Sequence, residues 1–111
     1  MFRLSIIINE LYLKYLPIAE KMGITLNLDF PDPTIETKNA ARVRKDLEKT
    51  LKKVVTNRAP SNQIKIYVKN HQIVIEDEKT VLSKTACALL SYPHFTVKSK
   101  VGFGTTVTID L

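Results

Sequence analysis

The sequence predicts an α/β (α+β) two-layer sandwich, with a mixed sheet of about five strands and three helices packed on one face. Three observations lead there. Apolar residues switch between the helical period and the strand period of two, in the order helix, strand, helix, strand, strand, helix, strand, strand. A length of 111 residues with 44% hydrophobic content suits one domain with its own core, so residues 1–111 are read as a single domain. No internal repeat or low-complexity stretch interrupts the pattern, and elements of this number and size most simply form two layers.

The first helix is expected from Leu4 to Met22. Leu4, Ile7, Ile8, Leu11, Tyr15, Ile18, Ala19 and Met22 recur at helical spacing, and Gly23 stands where a helix stops. Pro17 removes one backbone donor, so a kink is expected near Tyr15. Ile24, Leu26, Leu28 and Phe30 then alternate with Thr25, Asn27 and Asp29, giving a strand with one apolar face that Pro31, Asp32 and Pro33 close. The second helix, Asn39 to about Asn57, lines up Val43, Leu47, Leu51, Val54 and Val55 as one stripe. After a loop at 58–62, Ile64 to Val68 and Ile73 to Ile75 alternate on either side of Lys69, Asn70 and His71 and read as a hairpin. The third helix is expected between about Val81 and Ser91, with Pro93 barring its extension. Two last strands, Phe95 to Lys98 and Thr105 to Ile109, flank the turn Val101-Gly102-Phe103-Gly104.

Charge is concentrated. Of 17 Lys and Arg residues against 11 acids, eight bases (Lys38, Arg42, Arg44, Lys45, Lys49, Lys52, Lys53, Arg58) and only two acids (Asp46, Glu48) fall between Lys38 and Arg58. That segment carries the whole formal excess of +6. Arg42, Lys45, Lys49, Lys52 and Lys53 lie largely opposite the apolar stripe of the second helix. They can meet phosphate, an acidic protein face or water. A single-strand reader would interleave aromatics with such charges, and this helix has none, so nucleic acid ranks below a protein partner.

Other classes are disfavoured. No run approaches the roughly 20 apolar residues of a membrane span, and Met1 to Ile8 lacks the cleavage site of a secretory signal. No membrane insertion and a cytoplasmic setting are therefore expected. Cys87 is the single cysteine, without a disulfide partner or a neighbour at metal-ligand spacing, and reads as a packing residue. No paired carboxylates, serine triad or metal cluster appears, so no catalytic and no metal-ligating residue is assigned.

Two segments carry a resemblance. INELYLKYLPIAEKMGITLNLDFPD looks like a helix, polar segment, glycine and alternating strand closed by proline and aspartate, and VKSKVGFGTTVTIDL looks like a glycine box followed by a last strand. Together they resemble the ATP-binding catalytic domain of sensor histidine kinases, in the wider GHKL group of Bergerat-type ATPases that includes gyrase, the heat-shock chaperone and mismatch-repair ATPases. The resemblance covers nearly the whole chain. It implies that Asp77 stands at the place of the aspartate that accepts from the adenine amino group, and that Gly102, Gly104 and Thr105 belong to the second glycine box.

It also exposes departures. Lys53 stands at the place of the asparagine that holds Mg²⁺, with Lys49 one turn earlier, and an ammonium group cannot coordinate a metal cation. Lys79 and Val81 replace glycines of the first box. Only residues 78–101 separate Asp77 from Gly102, and one helix and one strand use most of them, which leaves nothing for an ATP lid. His71, in a turn, and His94, after Pro93, do not suit a phosphoacceptor.

The leading expectation is a degenerate histidine-kinase-like domain, a pseudokinase acting as a non-catalytic protein-interaction or regulatory module in two-component signalling. Its partner would be a signalling protein or a helical dimerisation and phosphoacceptor region. The contact would be made through the exposed side of the first helix, the shortened lid region, or the basic group Arg42, Lys45, Lys49, Lys52 and Lys53. In this reading Asp77, Gly102, Gly104 and Thr105 are a relic or weak nucleotide site; no cofactor is required, ATP is admissible and Mg²⁺ is not expected. The first alternative is a competent ATP-binding catalytic domain of a two-component sensor histidine kinase, in which Lys49 or Lys53 contacts phosphate directly. The second is a basic nucleic-acid-binding module.

Overall fold

The structure is a computed structural model that describes residues 1–56, 63–78, 95–100, 102 and 104–111. In chain order the elements are β1 (Phe2–Arg3), α1 (Leu4–Lys21), β2 (Thr25–Leu28), β3 (Glu36–Thr37), α2 (Ala40–Thr56), β4 (Gln63–Lys69), β5 (Gln72–Asp77), β6 (Phe95–Lys100) and β7 (Gly104–Asp110). A five-stranded sheet has the order β2-β4-β5-β7-β6. It is mixed, because β2 runs parallel to β4 while the other neighbours are antiparallel.

Both described helices cover one face of this sheet. Leu26, Ile64, Ile66, Ile73, Ile75, Val107 and Ile109 form one buried cluster with Leu4, Ile7, Ile8 and Leu11 of α1 and Val43, Leu47, Leu51 and Val54 of α2. Each such aliphatic side chain contributes about 1.5–3 kcal/mol by leaving water, so this shared face holds the layers together. The expected third helix, 81–91, and the loop at 58–62 lie outside the described residues; two helices are present among the described ones.

Local chemistry sets the element ends. α1 has no side-chain N-cap; its first amide, Leu4 N–H, donates instead to the Ile35 carbonyl at 3.0 Å. The two-residue strands β1 and β3 clasp the same place, pairing Phe2 with Thr37 and Arg3 with Glu36. Two residues carry no periodicity, so the sequence gives no sign of this clasp. α1 runs unbroken across Pro17 and ends at Lys21, capped by Met22 and followed by Gly23, whose φ of +71° suits a residue without Cβ. Asn39 starts α2, its carbonyl accepting from Val43 N–H at 2.8 Å.

Two expected inward positions point outward. Ile18 is 40% exposed, because the buried line of α1 passes through Tyr15 and Ala19 beside it. Phe30 is 64% exposed. The expected strand through residue 30 ends earlier, at Leu28, and the last ladder contact beyond it is Asp29 N–H to the Ile66 carbonyl at 2.9 Å. Past that point Asp32 accepts from the Thr34 amide (2.9 Å) and hydroxyl (2.8 Å), a local turn that draws the chain away from the sheet.

The hairpin between β4 and β5 turns on two residues only, Asn70 and His71, with φ of 52° and 58°. Positive φ at both central residues is the primed geometry that matches strand twist. Lys69, expected in the turn, instead pairs with Gln72 as the last ladder position.

Candidate functional site

Strand alternation carries the core face of β5 through Ile73 and Ile75 to Asp77, and that of β7 back through Val107 to Thr105. Asp77 and Thr105 are direct cross-strand partners, and Thr105 in turn pairs with Ser99 on β6. Asp77, Thr105 and Ser99 therefore form one row across three strands, a polar end to an otherwise apolar face. Asp77 and Thr105 are each only 2% exposed. The Ser99 and Thr105 hydroxyls share a hydrogen bond of 2.8 Å. Oδ2 of Asp77 is buried and takes no hydrogen bond from a described residue, although the residue as a whole is engaged.

The two glycines beside this row differ. Gly104 has φ +80°, and a Cβ built on it would overlap the Asp77 carbonyl oxygen and come within 2.6 Å of the Glu78 carbonyl carbon and oxygen. Only a glycine lets β7 begin against the end of β5. Gly102, at φ +87°, has open space around the same position and answers only to turn geometry. Ser99 escaped the sequence reading; the signal for it is the alternation of β6, which puts Val97 and Ser99 on the face of Thr105.

The basic residues of α2 divide into two groups. The Arg42 guanidinium donates to the Asp110 carbonyl at 2.7 Å and to the Asp46 carboxylate at 3.3 Å, tying α2 to the end of β7. Arg44 pairs with Glu10 at 2.7 Å, and Lys14 pairs with Glu48 at 2.6 Å, both across the α1–α2 seam. The hydrogen bond and charge of Glu48 raise the Lys14 pKa. Lys45, Lys52 and Lys53 are exposed and Lys49 is half-buried, all on the side of α2 away from its buried stripe. Lys49, Lys52 and Lys53 have further interactions of their own.

The outer side of α1 is apolar in part, with Ile6 51% and Leu13 56% exposed. No helix is long and apolar enough to cross a membrane among the described residues. A cavity of about 220 Å³, lined by Glu36, Lys38, Asn39 and His71, opens at the other end of the sheet, beside Leu111 and far along β7 from Thr105. His71 sits exposed in the hairpin turn. Lys79, Val81, Cys87 and His94, and the segment in which a lid would lie, fall outside the described residues.

No family model and no curated protein matches the sequence. Solved structures do match the fold. The cytoplasmic segment of histidine kinase QseC superposes with a TM-score of 0.72 at 10% identity, over 99% of this chain and 76% of that one. The nucleotide-free catalytic domain of histidine kinase ThkA gives 0.69 at 11% identity, over 98% and 94%. ThkA in complex with the response regulator TrrA gives 0.63 at 15% identity, over 97% of this chain and 40% of that one. The mixed sheet with its helices on one face, and the row Asp77–Thr105–Ser99 at its end, thus sit in a chain that has the fold of a histidine kinase catalytic domain.

Proposed function

We propose that this domain is a histidine-kinase-like module that works in two-component signalling, in the cytoplasm, by binding a protein partner and not by transferring phosphate. The observation that carries this reading is the pair Lys49 and Lys53, one turn apart on the outer side of α2. By the resemblance Lys53 stands at the place of the metal-holding asparagine, with Lys49 one turn earlier, and an ammonium has no lone pair to give a cation. The residues do not fit Mg²⁺. The apolar outer side of α1 supports a contact role, since exposed apolar side chains gathered on one helix mark interaction surfaces. The partner is a signalling protein or a helical phosphoacceptor region; the complex of ThkA with a response regulator is a precedent for such partners in proteins of this fold.

A second reading, competent ATP binding, is favoured by one observation. Asp77 lies buried at the strand end beside Gly104, where the backbones of β5 and β7 approach too closely for a side chain. This fits the adenine end of a nucleotide. Asp77 would accept from the adenine amino group, and lysine would meet phosphate as a point charge.

Calorimetric titration of the domain with ATP, with and without Mg²⁺, beside Asp77→Asn, separates the two. The interaction reading expects no binding up to millimolar ATP and no phosphoryl transfer. Magnesium-independent binding lost in Asp77→Asn would establish the second reading. Reversing Lys49 and Lys53 to Glu should weaken capture of a phosphoacceptor helical region if the α2 face makes the contact.

A further inference from the structure

Both described helices turn their buried stripes to the sheet, so the outer sides of α1 and α2 form one surface facing away from it. The ion pairs Glu10–Arg44 and Lys14–Glu48, one turn apart, each join residues 34 apart in sequence, so the two helices run in the same direction and in step along this seam. On one side of the seam the outward line of α1 is apolar, with Ile6, Leu13 and Pro17 exposed at i, i+7 and i+11. On the other side the outward line of α2 is basic, with Lys45, Lys49 and Lys52 at i, i+4 and i+7 and Lys53 beside them. Leu13 stands level with the stretch between Lys45 and Lys49. The charge of this surface is one-sided. The two helices carry eight bases and four acids, and three of the acids, Glu10, Asp46 and Glu48, already pair with Arg44, Arg42 and Lys14. Lys21 offsets the fourth, Glu20, in number, which leaves the excess on the four outward lysines of α2.

We propose that the paired ridges of α1 and α2 dock an amphipathic helix of a partner protein whose apolar stripe is flanked by acidic residues, a proposal that rests on the interaction reading above and names the chemistry of its partner. Charge complementarity selects the acids, and the repeat selects the helix. Ile6 to Leu13 and Lys45 to Lys52 are each seven residues, about 10 Å along the helix axis. The two ridges lie side by side, about 8–10 Å apart as packed helices are. A partner helix laid along the seam presents residues seven apart on one side of itself. Its apolar stripe then meets Ile6 and Leu13, while the acids beside that stripe reach Lys45 and Lys52. Nucleic acid and anionic lipid fit less well. A phosphate chain along the lysines leaves the α1 ridge unused, and a lipid surface that took up Ile6 and Leu13 would bring its headgroups onto the exposed Glu10 and Glu20 beside them.

The test uses a labelled peptide of three seven-residue repeats, with Leu at the first and fourth positions and Glu at the fifth and seventh, measured by anisotropy against the domain at low and high salt. Binding should weaken as salt rises. Lys45→Glu with Lys52→Glu should weaken it about tenfold or more, and Leu13→Ser several-fold, all three positions being exposed and tolerant of the change. Exchanging the Glu residues of the peptide for Gln should also cost several-fold. Lys65→Glu with Lys98→Glu, on the sheet face turned away from the helices, should leave the affinity within about twofold. No peptide binding, full affinity in Lys45→Glu with Lys52→Glu, or full affinity in Leu13→Ser would each overturn the assignment. So would tighter binding of duplex DNA or of phosphatidylserine vesicles than of the peptide. The first three outcomes leave the interaction reading standing, whereas phosphoryl transfer by the domain would overturn that reading alone.

Discussion

Gly104 allows the geometry at the Asp77 row to be tested as a difference between two glycines. Alanine at 102 or at 104 must adopt a positive φ, which costs about 1–2 kcal/mol for an L-residue. At Gly102 nothing lies within 4 Å of the added methyl, so that cost is the whole effect. At Gly104 the methyl overlaps the Asp77 carbonyl oxygen and lies 2.6 Å from the Glu78 carbonyl group. Those are backbone atoms of the neighbouring strand and cannot rotate aside, so β5 and β7 must separate at their ends. Overpacking of this kind costs about 1–3 kcal/mol, with the upper end apt where backbone must move. Gly104→Ala should therefore lose about 3–5 kcal/mol and Gly102→Ala about 1–2 kcal/mol. A gap of about 2–3 kcal/mol corresponds to about 10–20 °C in melting temperature for a domain near this size. Urea denaturation of the two variants and the parent, with m-values compared, measures it. Equal losses would mean that β7 does not begin against the end of β5, and the row Asp77–Thr105–Ser99 would lose its structural basis.

Other expectations follow from single contacts. Arg42→Ala should cost about 1–3 kcal/mol in denaturation, because it strips Asp46 and the Asp110 carbonyl of a donor, whereas Lys45→Ala should change stability by less than about 0.5 kcal/mol. His71→Gly should raise stability by up to about 1 kcal/mol by relieving φ +58°, and an unchanged or lower midpoint would speak against the primed turn. The Glu76 hydrogen bond, then burial, raises the Tyr67 pKa above its ordinary 10.0. A raised folded value means that the folded state holds this proton more tightly. The stabilisation is then present below pH 10 and fades as the pH climbs through the folded value, so Tyr67→Phe should flatten the loss of stability above that pH.

Much of the fold was legible in the residues. The stripe Val43, Leu47, Leu51 and Val54 defined α2, Gly23 ended α1, and the alternation around Ile64 and Ile73 gave the hairpin, because burial on one face imposes the period of the element on the sequence. The β1–β3 clasp was not legible, since its contacts are backbone hydrogen bonds between segments more than 30 residues apart and select no side-chain type. Ile18 and Phe30 were misread for a related reason: periodicity marks which residues are able to be buried, but the neighbouring element decides how far along the chain burial extends.

The site divides in the same way. The sequence by itself determined that Asp77, Gly102, Gly104 and Thr105 belong to strand ends and a glycine turn, and that the charge excess lies between Lys38 and Arg58, the segment that contains α2. Only the tertiary structure decided that Asp77, Thr105 and Ser99 stand in one cross-strand row, because register between β5, β7 and β6 is a property of the sheet and not of any strand alone. It also separated Gly104 from Gly102, alike in sequence and in φ, by the backbone of β5 that crowds one and not the other. And it divided the bases of α2 into Arg42 and Arg44, bound to the carboxylates and carbonyl that packing brings to them, and the outward lysines, because a helix face fixes direction while the partner across it comes from elsewhere in the chain.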